Sequence, residues 1–218
     1  MSLELVVSNI SKSYSSDAIL KNCSFTFNSS GIYVLMGSNG SGKSTFLRIC
    51  ALLEAPDSGD INFHSEGKPV IKDISLMRRI TLLLPKIGVF NTTVFKNVVY
   101  GLNIRNPQRN DITSRAENAL DFVGLLQKKN QKALTLSSGE TKRLGIARAL
   151  VLEPEIFFLD EPTASVDQKN TEIIDQIIQK LKREGRSTII IATHDTAQAE
   201  RLADKLLFIK HGQLSGST

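Results

Sequence analysis

The sequence predicts an α/β fold: a mostly parallel sheet wrapped by helices, opened by an N-terminal antiparallel β region and interrupted by an inserted helical subdomain. Three features point there. The segments IYVLM (32–36), IFFL (156–159) and TIIIA (188–192) are apolar at nearly every position, as strands covered on both faces must be. Stretches with apolar residues at helical spacing lie between these runs, and such alternation favours parallel strands joined by crossover helices. The first thirty residues instead alternate apolar and polar, the mark of strands with one wet face.

Each element follows from its own residues. Leu3 to Ile10 and Ile19 to Phe27 read as two strands separated by the turn-rich SYSSD. Gly31 breaks that pattern and IYVLM follows. From Ser44 to Leu53 the apolar positions fit a helix, which Pro56, Asp57, Ser58 and Gly59 end before the strand-like DINF. The region from about Ile71 to Ala133 shows no run of buried strands and one clear helix. That helix has Ala116, Ala119, Leu120 and Val123 on one face and Gly124 at its end. A helix through Arg143 to Leu150 comes next, then IFFL, a helix carrying Ile173, Ile174, Ile177 and Leu181, then TIIIA and a short helix ending near Ala203. With no internal repeat and no long linker, the expected organisation is one domain over 1–218. Residues 1–70 and 150–218 form its core, and about 71–149 form the helical subdomain.

Composition removes several classes of function. The 218 residues are 41% hydrophobic and 22% charged, the profile of a packed globule. The longest apolar runs, Ile32 to Met36 and Ile49 to Leu53, fall far short of the roughly 18–20 residues that cross a bilayer. The start, MSLELVV, carries no export signal, so the cytoplasmic side is expected. Cys23 and Cys50 stand apart with no CxxC, as buried thiols do, which argues against a disulfide framework or a structural zinc. A net charge of +5 is spread along the chain; its densest group, Lys128, Lys129 and Lys132, lacks interleaved aromatics, so no nucleic acid partner is expected.

The chemistry begins at Gly37, Ser38, Asn39, Gly40, Ser41, Gly42, Lys43, Ser44 and Thr45, which fit G-x-x-x-x-G-K-[ST] between a buried strand and a helix. This makes the core a P-loop NTPase core. Glycines let the backbone aim several N–H groups at phosphate oxygens, and the helix start adds about half a positive charge. Lys43 is suited to the β and γ phosphates, and the Ser44 hydroxyl to magnesium. Asp160 and Glu161 close the strand IFFL at the end where open α/β sheets bind ligands. Asp160 is the candidate second magnesium ligand, and Glu161 the candidate base that deprotonates an attacking water.

Between them lie Leu136, Ser137, Ser138, Gly139 and Glu140, followed by Arg143 and IARAL. Here the sequence resembles the ATP-binding cassette (ABC) ATPases, whose signature reads LSGGQ or LSGGE in that place. GSNGSGKST, LSSGE, IFFLDEPTASVD and Thr193-His194-Asp195 occur in that family's order across nearly the whole chain. The resemblance implies an ATPase using ATP and Mg2+. It implies that Asp167 lies in the loop by which two subunits touch, that His194 contacts the γ phosphate and that Tyr14 stacks on adenine. Ser137 and Gly139 would form a second anion site, closing over the nucleotide of a twin chain in a homodimer or a heterodimer with a similar ATPase. The implied role is to power solute transport through separate transmembrane permease subunits, from the cytoplasmic face of the cell membrane. A soluble cassette driving a protein assembly or envelope machine is the alternative, and a nucleotide-binding regulatory module a third.

Two positions depart from the family pattern. Ser138 stands where glycine is usual, a sterically modest change at a helix start. Pro85 occupies the position of the family's glutamine, and it offers neither a side-chain oxygen nor an N–H. Slower or more loosely coupled hydrolysis is expected from it. The stretch VFNTTVFKNVVYGLNIR resembles cassettes of prokaryotic importers, oxyanion importers among them.

Overall fold

The computed structural model describes residues 3–28, 30–105 and 110–216. It opens with β1 (Leu3–Tyr14), β2 (Asp17–Phe27), β3 (Gly31–Met36), α1 (Lys43–Cys50), β4 (Ser58–Ser65), β5 (Lys68–Pro69), α2 (Ile74–Met77) and β6 (Ile80–Leu83). Three longer helices follow, α3 (Val94–Arg105), α4 (Ile112–Phe122) and α5 (Ser138–Leu150). The remainder is β7 (Ile156–Asp160), α6 (Gln168–Glu184), β8 (Thr188–Thr193), α7 (Thr196–Leu202), β9 (Lys205–Lys210) and β10 (Gln213–Gly216).

Contacts divide the chain into two units. The first takes in Met1–Leu82, Glu155–Glu161 and Gln179–Thr218, and the second Leu83–Pro154 and Pro162–Ile178. The first holds a four-stranded sheet ordered β2-β1-β4-β5, antiparallel throughout. Leu3, Leu5 and Val7 of β1 are buried while their neighbours are partly exposed, as alternation predicts. Asn9 bulges out of the pairing at φ 52°. Gly59 passes so close that a Cβ there would lie 2.4 Å from the Asn9 carbonyl oxygen.

The larger sheet runs β10-β9-β3-β8-β7-β6, with β9, β3, β8 and β7 mutually parallel and β10 turned back on β9. β3, β7 and β8 are buried along almost their whole length, which explains their continuous apolar composition. Phe27 of β2 joins the two sheets: its ring meets Phe25 at 4.8 Å, Tyr33 of β3 at 4.9 Å and Phe46 of α1 at 6.5 Å. Edge-to-face geometry at these separations adds to the burial itself. In the second unit α3, α4 and α5 pack pairwise, burying Val94, Val98, Leu102, Ala116, Leu120 and Leu144.

The stretch read as helical from Ile71 contains β6 at the edge of the larger sheet. Its four residues are too few to show a period, and Pro85 follows directly. Helix α3 and the β9–β10 hairpin were not foreseen either. The first helix ends at Cys50, with Leu52 turning to φ 58°. Cys23 and Cys50 are buried free thiols, and Cys23 lies 3.2 Å from the Gly212 carbonyl oxygen.

Phe27→Ala should cost about 3–5 kcal/mol in urea denaturation, because it empties the joint between sheets and helix. A loss below about 1 kcal/mol would show that the sheets do not depend on this ring.

Candidate functional site

β3 ends at Met36 and α1 starts at Lys43, leaving Gly37–Gly42 to turn the backbone between them. Ser41 N–H closes a tight turn on the Ser38 carbonyl at 3.1 Å. At Gly37 a Cβ would come within 2.5 Å of Ser41 Oγ and 2.7 Å of the Ile209 carbonyl oxygen, so only glycine fits. Gly40, at φ 79°, has no heavy atom within 4 Å of its missing Cβ and faces open space. Lys43 is only 5% exposed. Its Nζ donates to the carbonyls of Gly37 at 2.8 Å and Ser38 at 3.2 Å, and stands 3.7 Å from Glu161 Oε1.

Asp160 ends β7 almost fully buried. One oxygen accepts the Ser44 hydroxyl, while Oδ1 has no hydrogen-bond partner among the described residues. Burial pushes its carboxyl up; the Ser44 bond opposes this and the neighbouring Glu161 charge adds to it. A buried, unsatisfied carboxylate oxygen beside a hydroxyl is a hard-oxygen pair that fits Mg2+.

Glu161 has left-handed backbone, φ 48°, and its N–H donates to the Ala192 carbonyl at 2.9 Å. Such a conformation costs roughly 1–2 kcal/mol for a residue with a Cβ. The carboxylate lies between Lys43 and His194, whose Nδ1 is 2.9 Å and 3.0 Å from its two oxygens. His194 is thus set on Glu161 just past the end of β8, a pairing that only the fold reveals.

Tyr14 projects half-exposed from the end of β1. Its hydroxyl donates to Glu54 at 2.5 Å and accepts from Arg48 at 3.4 Å. Thr45 is buried, its hydroxyl 3.4 Å from Arg48. A cleft of about 310 Å³ is lined by Tyr14, Asn39, Gly40, Lys43, Ser44 and Glu161, among others. A larger hollow of about 780 Å³ flanks residues 37–41 and 208–212 but holds neither Lys43 nor a carboxylate. The smaller cleft is the one that brings the glycine-rich turn, Lys43 and Glu161 together.

In the second unit Ser137 caps α5. Its Oγ accepts Glu140 N–H at 3.3 Å, and Glu140 Oε2 accepts Ser137 N–H at 3.1 Å; this reciprocal box fixes the helix start. Gly139 is closely covered, since a Cβ there would meet Asn170 atoms at 2.3–2.5 Å. Asn170 also donates to Asp167, from its backbone N–H at 2.9 Å and from Nδ2 at 3.1 Å and 2.9 Å. These bonds, the backbone one first, hold the Asp167 carboxyl below its ordinary range. Ser138 is exposed.

The Pro85 carbonyl accepts the ammonium of buried Lys142, and Arg148 donates to Gly88 O at 2.6 Å. Asn170, Lys142 and Arg148 were missed by sequence reasoning. Only the spacing of Lys142, Gly145 and Arg148 along α5 hinted at a shared face.

Strand, glycine-rich turn, helix start and acidic strand end together define a P-loop nucleotide-binding protein. A family model described as ABC transporter matches residues 20–164. The tungstate uptake system ATP-binding protein TupC of Peptoclostridium acidaminophilum is 35% identical over 212 residues, 97% of either chain. The phosphate import ATP-binding protein PstB 2 of Natronomonas pharaonis is 34% identical over 96% of this chain and 78% of its own. Among solved structures, cbiO1 from Clostridium perfringens, part of the ABC transporter complex cbiONQ, superposes with a TM-score of 0.85 at 28% identity. That match covers 99% of this chain and 88% of cbiO1. The chain belongs to the ABC transporter family.

Asp160→Asn removes a buried charge while keeping an acceptor for Ser44. Its melting temperature without magnesium should rise by about 2–4 °C, the shift expected for about 1 kcal/mol in a chain of this size. The same variant should lose magnesium-dependent nucleotide binding. Unchanged magnesium dependence in a titration would remove Asp160 from the site.

Proposed function

We propose that this chain is the ATP-hydrolysing subunit of an importer, working as a dimer on separate membrane-spanning subunits. The observation that carries this reading is the meeting of Lys43, Glu161 and His194 at the phosphate-cradling turn. The Lys43 ammonium has three donors, two of which hold the Gly37 and Ser38 carbonyls. The terminal phosphates of ATP take the remaining direction, displacing Glu161 from the lysine. Glu161 then serves as the base: it accepts the proton of a water whose oxygen bonds to the γ phosphorus as the bond to the bridging oxygen breaks. ADP and phosphate leave. His194 Nδ1 orients that carboxylate, and its second ring nitrogen is the group left to meet the γ phosphate. Held by Ser44 and Asp160, magnesium would offset the charge that develops on the phosphate oxygens.

One chain offers only half of what a triphosphate needs. Ser137 Oγ accepts the Glu140 N–H, so its own proton stays available to a phosphate oxygen. With Gly139 at the same helix start it makes a second cradle, which we assign to the nucleotide on a twin chain, and Asp167 to the contact between chains. ATP binding therefore drives association and hydrolysis ends it. Tyr14 at the cleft margin is assigned to the adenine face.

A membrane partner is supported by the second unit, where Leu84, Phe90, Tyr100 and Ile104 are 40–64% exposed. Phe90 and Tyr100 stack at 4.4 Å under Arg148. Apolar groups left open in this way mark interaction surfaces. Import is supported by the names of relatives at 32–35% identity, ATP-binding proteins of tungstate uptake and of phosphate, L-cystine and sulfate/thiosulfate import; another relative, at 34%, is named for arginine transport. Such different cargoes at near-equal similarity support a reading in which cargo choice lies in other subunits. Co-purification with a multispanning protein from detergent extracts selects the transporter over a soluble assembly machine.

Glu161→Gln should cut turnover at least about a hundredfold while ATP converts the protein to a stable dimer, seen as a doubled mass in light scattering. A solitary ATP-bound variant would rule out the two-chain engine. Pro85→Gln should raise magnesium-dependent turnover, and unchanged turnover would show that the proline is not limiting.

A further inference from the structure

The basic group at Lys128, Lys129 and Lys132 has no part in the scheme so far. Lys129 pairs with Glu117 at 2.7 Å. Lys128 reaches Glu140 Oε1 at 2.6 Å, and Glu140 is the residue whose other oxygen takes the Ser137 N–H. One carboxylate therefore sits at the mouth of the cradle assigned to a triphosphate. An ionised group there uses up the favourable field of the helix start and repels an incoming phosphate. Arg143 is the other cation acting on Glu140, but it is buried and donates to the carbonyls of Val123 at 2.9 Å and Gly124 at 3.3 Å. Among the described residues, Lys128 is the cation that bonds the carboxylate directly.

We infer that Lys128 is a positioning residue of the Ser137–Gly139 half-site: its ammonium neutralises and holds Glu140, so that the cap orders Ser137 without repelling the nucleotide of the facing chain. The inference rests on the two-chain reading above. Its logic is that of charge. A cap needs a side-chain oxygen, which glutamine also supplies, whereas only the carboxylate needs a cation beside it.

The test uses the Glu161→Gln chain as parent, with Lys128→Met, Lys128→Arg and the pair Lys128→Met with Glu140→Gln built on it. ATP-dependent association is followed by light scattering, and ATP binding to the single chain by fluorescence. Lys128→Met should raise the protein concentration needed for half association about tenfold, as expected for one uncompensated charge near a triphosphate. ATP binding to the single chain should stay unchanged. Lys128→Arg should match the parent, and the double variant should return to within about twofold of it. The melting temperature should move by less than about 2 °C, as for any half-exposed ion pair.

Rescue by Glu140→Gln is the discriminating result, because it leaves the ion pair broken and removes only the charge. Unchanged association of Lys128→Met would overturn the inference. A double variant as weak as Lys128→Met would overturn it too, marking Lys128 as a phosphate ligand or a structural contact. A parent that binds ATP yet stays solitary removes the two-chain reading itself, and the inference with it.

Discussion

A buried ammonium must have acceptors, and much of the first unit's chemistry is arranged around that demand at Lys43. Two carbonyls of its own loop and the carboxylate of Glu161 meet it in the resting chain. The loop carbonyls point inward because Gly37 lets Ser41 approach where a Cβ would collide. Glu161 reaches the lysine from a left-handed backbone anchored on Ala192. In the proposed reaction one negative group gives way to another: phosphate displaces carboxylate, and the displaced carboxylate becomes the base. On that proposal the resting ion pair with Lys43 holds Glu161 idle until the nucleotide arrives, with His194 keeping its orientation.

The two helix starts solve one electrostatic problem in opposite ways. At α1 the cation lies inside the turn, bonded to the carbonyls of Gly37 and Ser38. At α5 no lysine among the described residues enters the cradle; Ser137 is the cap, the Glu140 carboxylate completes its box and Lys128 stands behind that carboxylate. A site meant to close on a nucleotide already held elsewhere gains from weak intrinsic affinity, since tight binding alone would fill it before the partner arrived. Neutralising the cap while adding no free positive charge gives that weakness without repulsion.

The sheet and both helix starts were legible because glycine turns, buried strands and acidic strand ends are local patterns. Gly37, Gly40 and Lys43 announce their turn within nine residues, and Asp160 and Glu161 follow a run no exposed strand would carry. What escaped was short or long-range. β6 has four residues ending near a proline, and α3 mixes polar and apolar positions so evenly that no face stands out. The partners Glu161 and His194 are 33 residues apart and Lys128 and Glu140 12 apart. No periodicity links such pairs; only the folded chain sets their distances.

The segment at Pro85 is held without any polar side chain at that position. A glutamine in this place would reach out with an amide, whereas proline keeps only its carbonyl. That carbonyl is taken by the buried ammonium of Lys142, and three residues on Gly88 is taken by Arg148. Between them Gly145 leaves just enough room for Leu83 and Ile87, which would stand 3.0 Å from any Cβ there. Segment and helix α5 are therefore fastened by two charge-assisted bonds and one close apolar contact on a single helix face. If the proposed membrane partner presses on the exposed Leu84 or Phe90 of this segment, these bonds would carry the push to α5 through backbone carbonyls rather than through a side-chain amide.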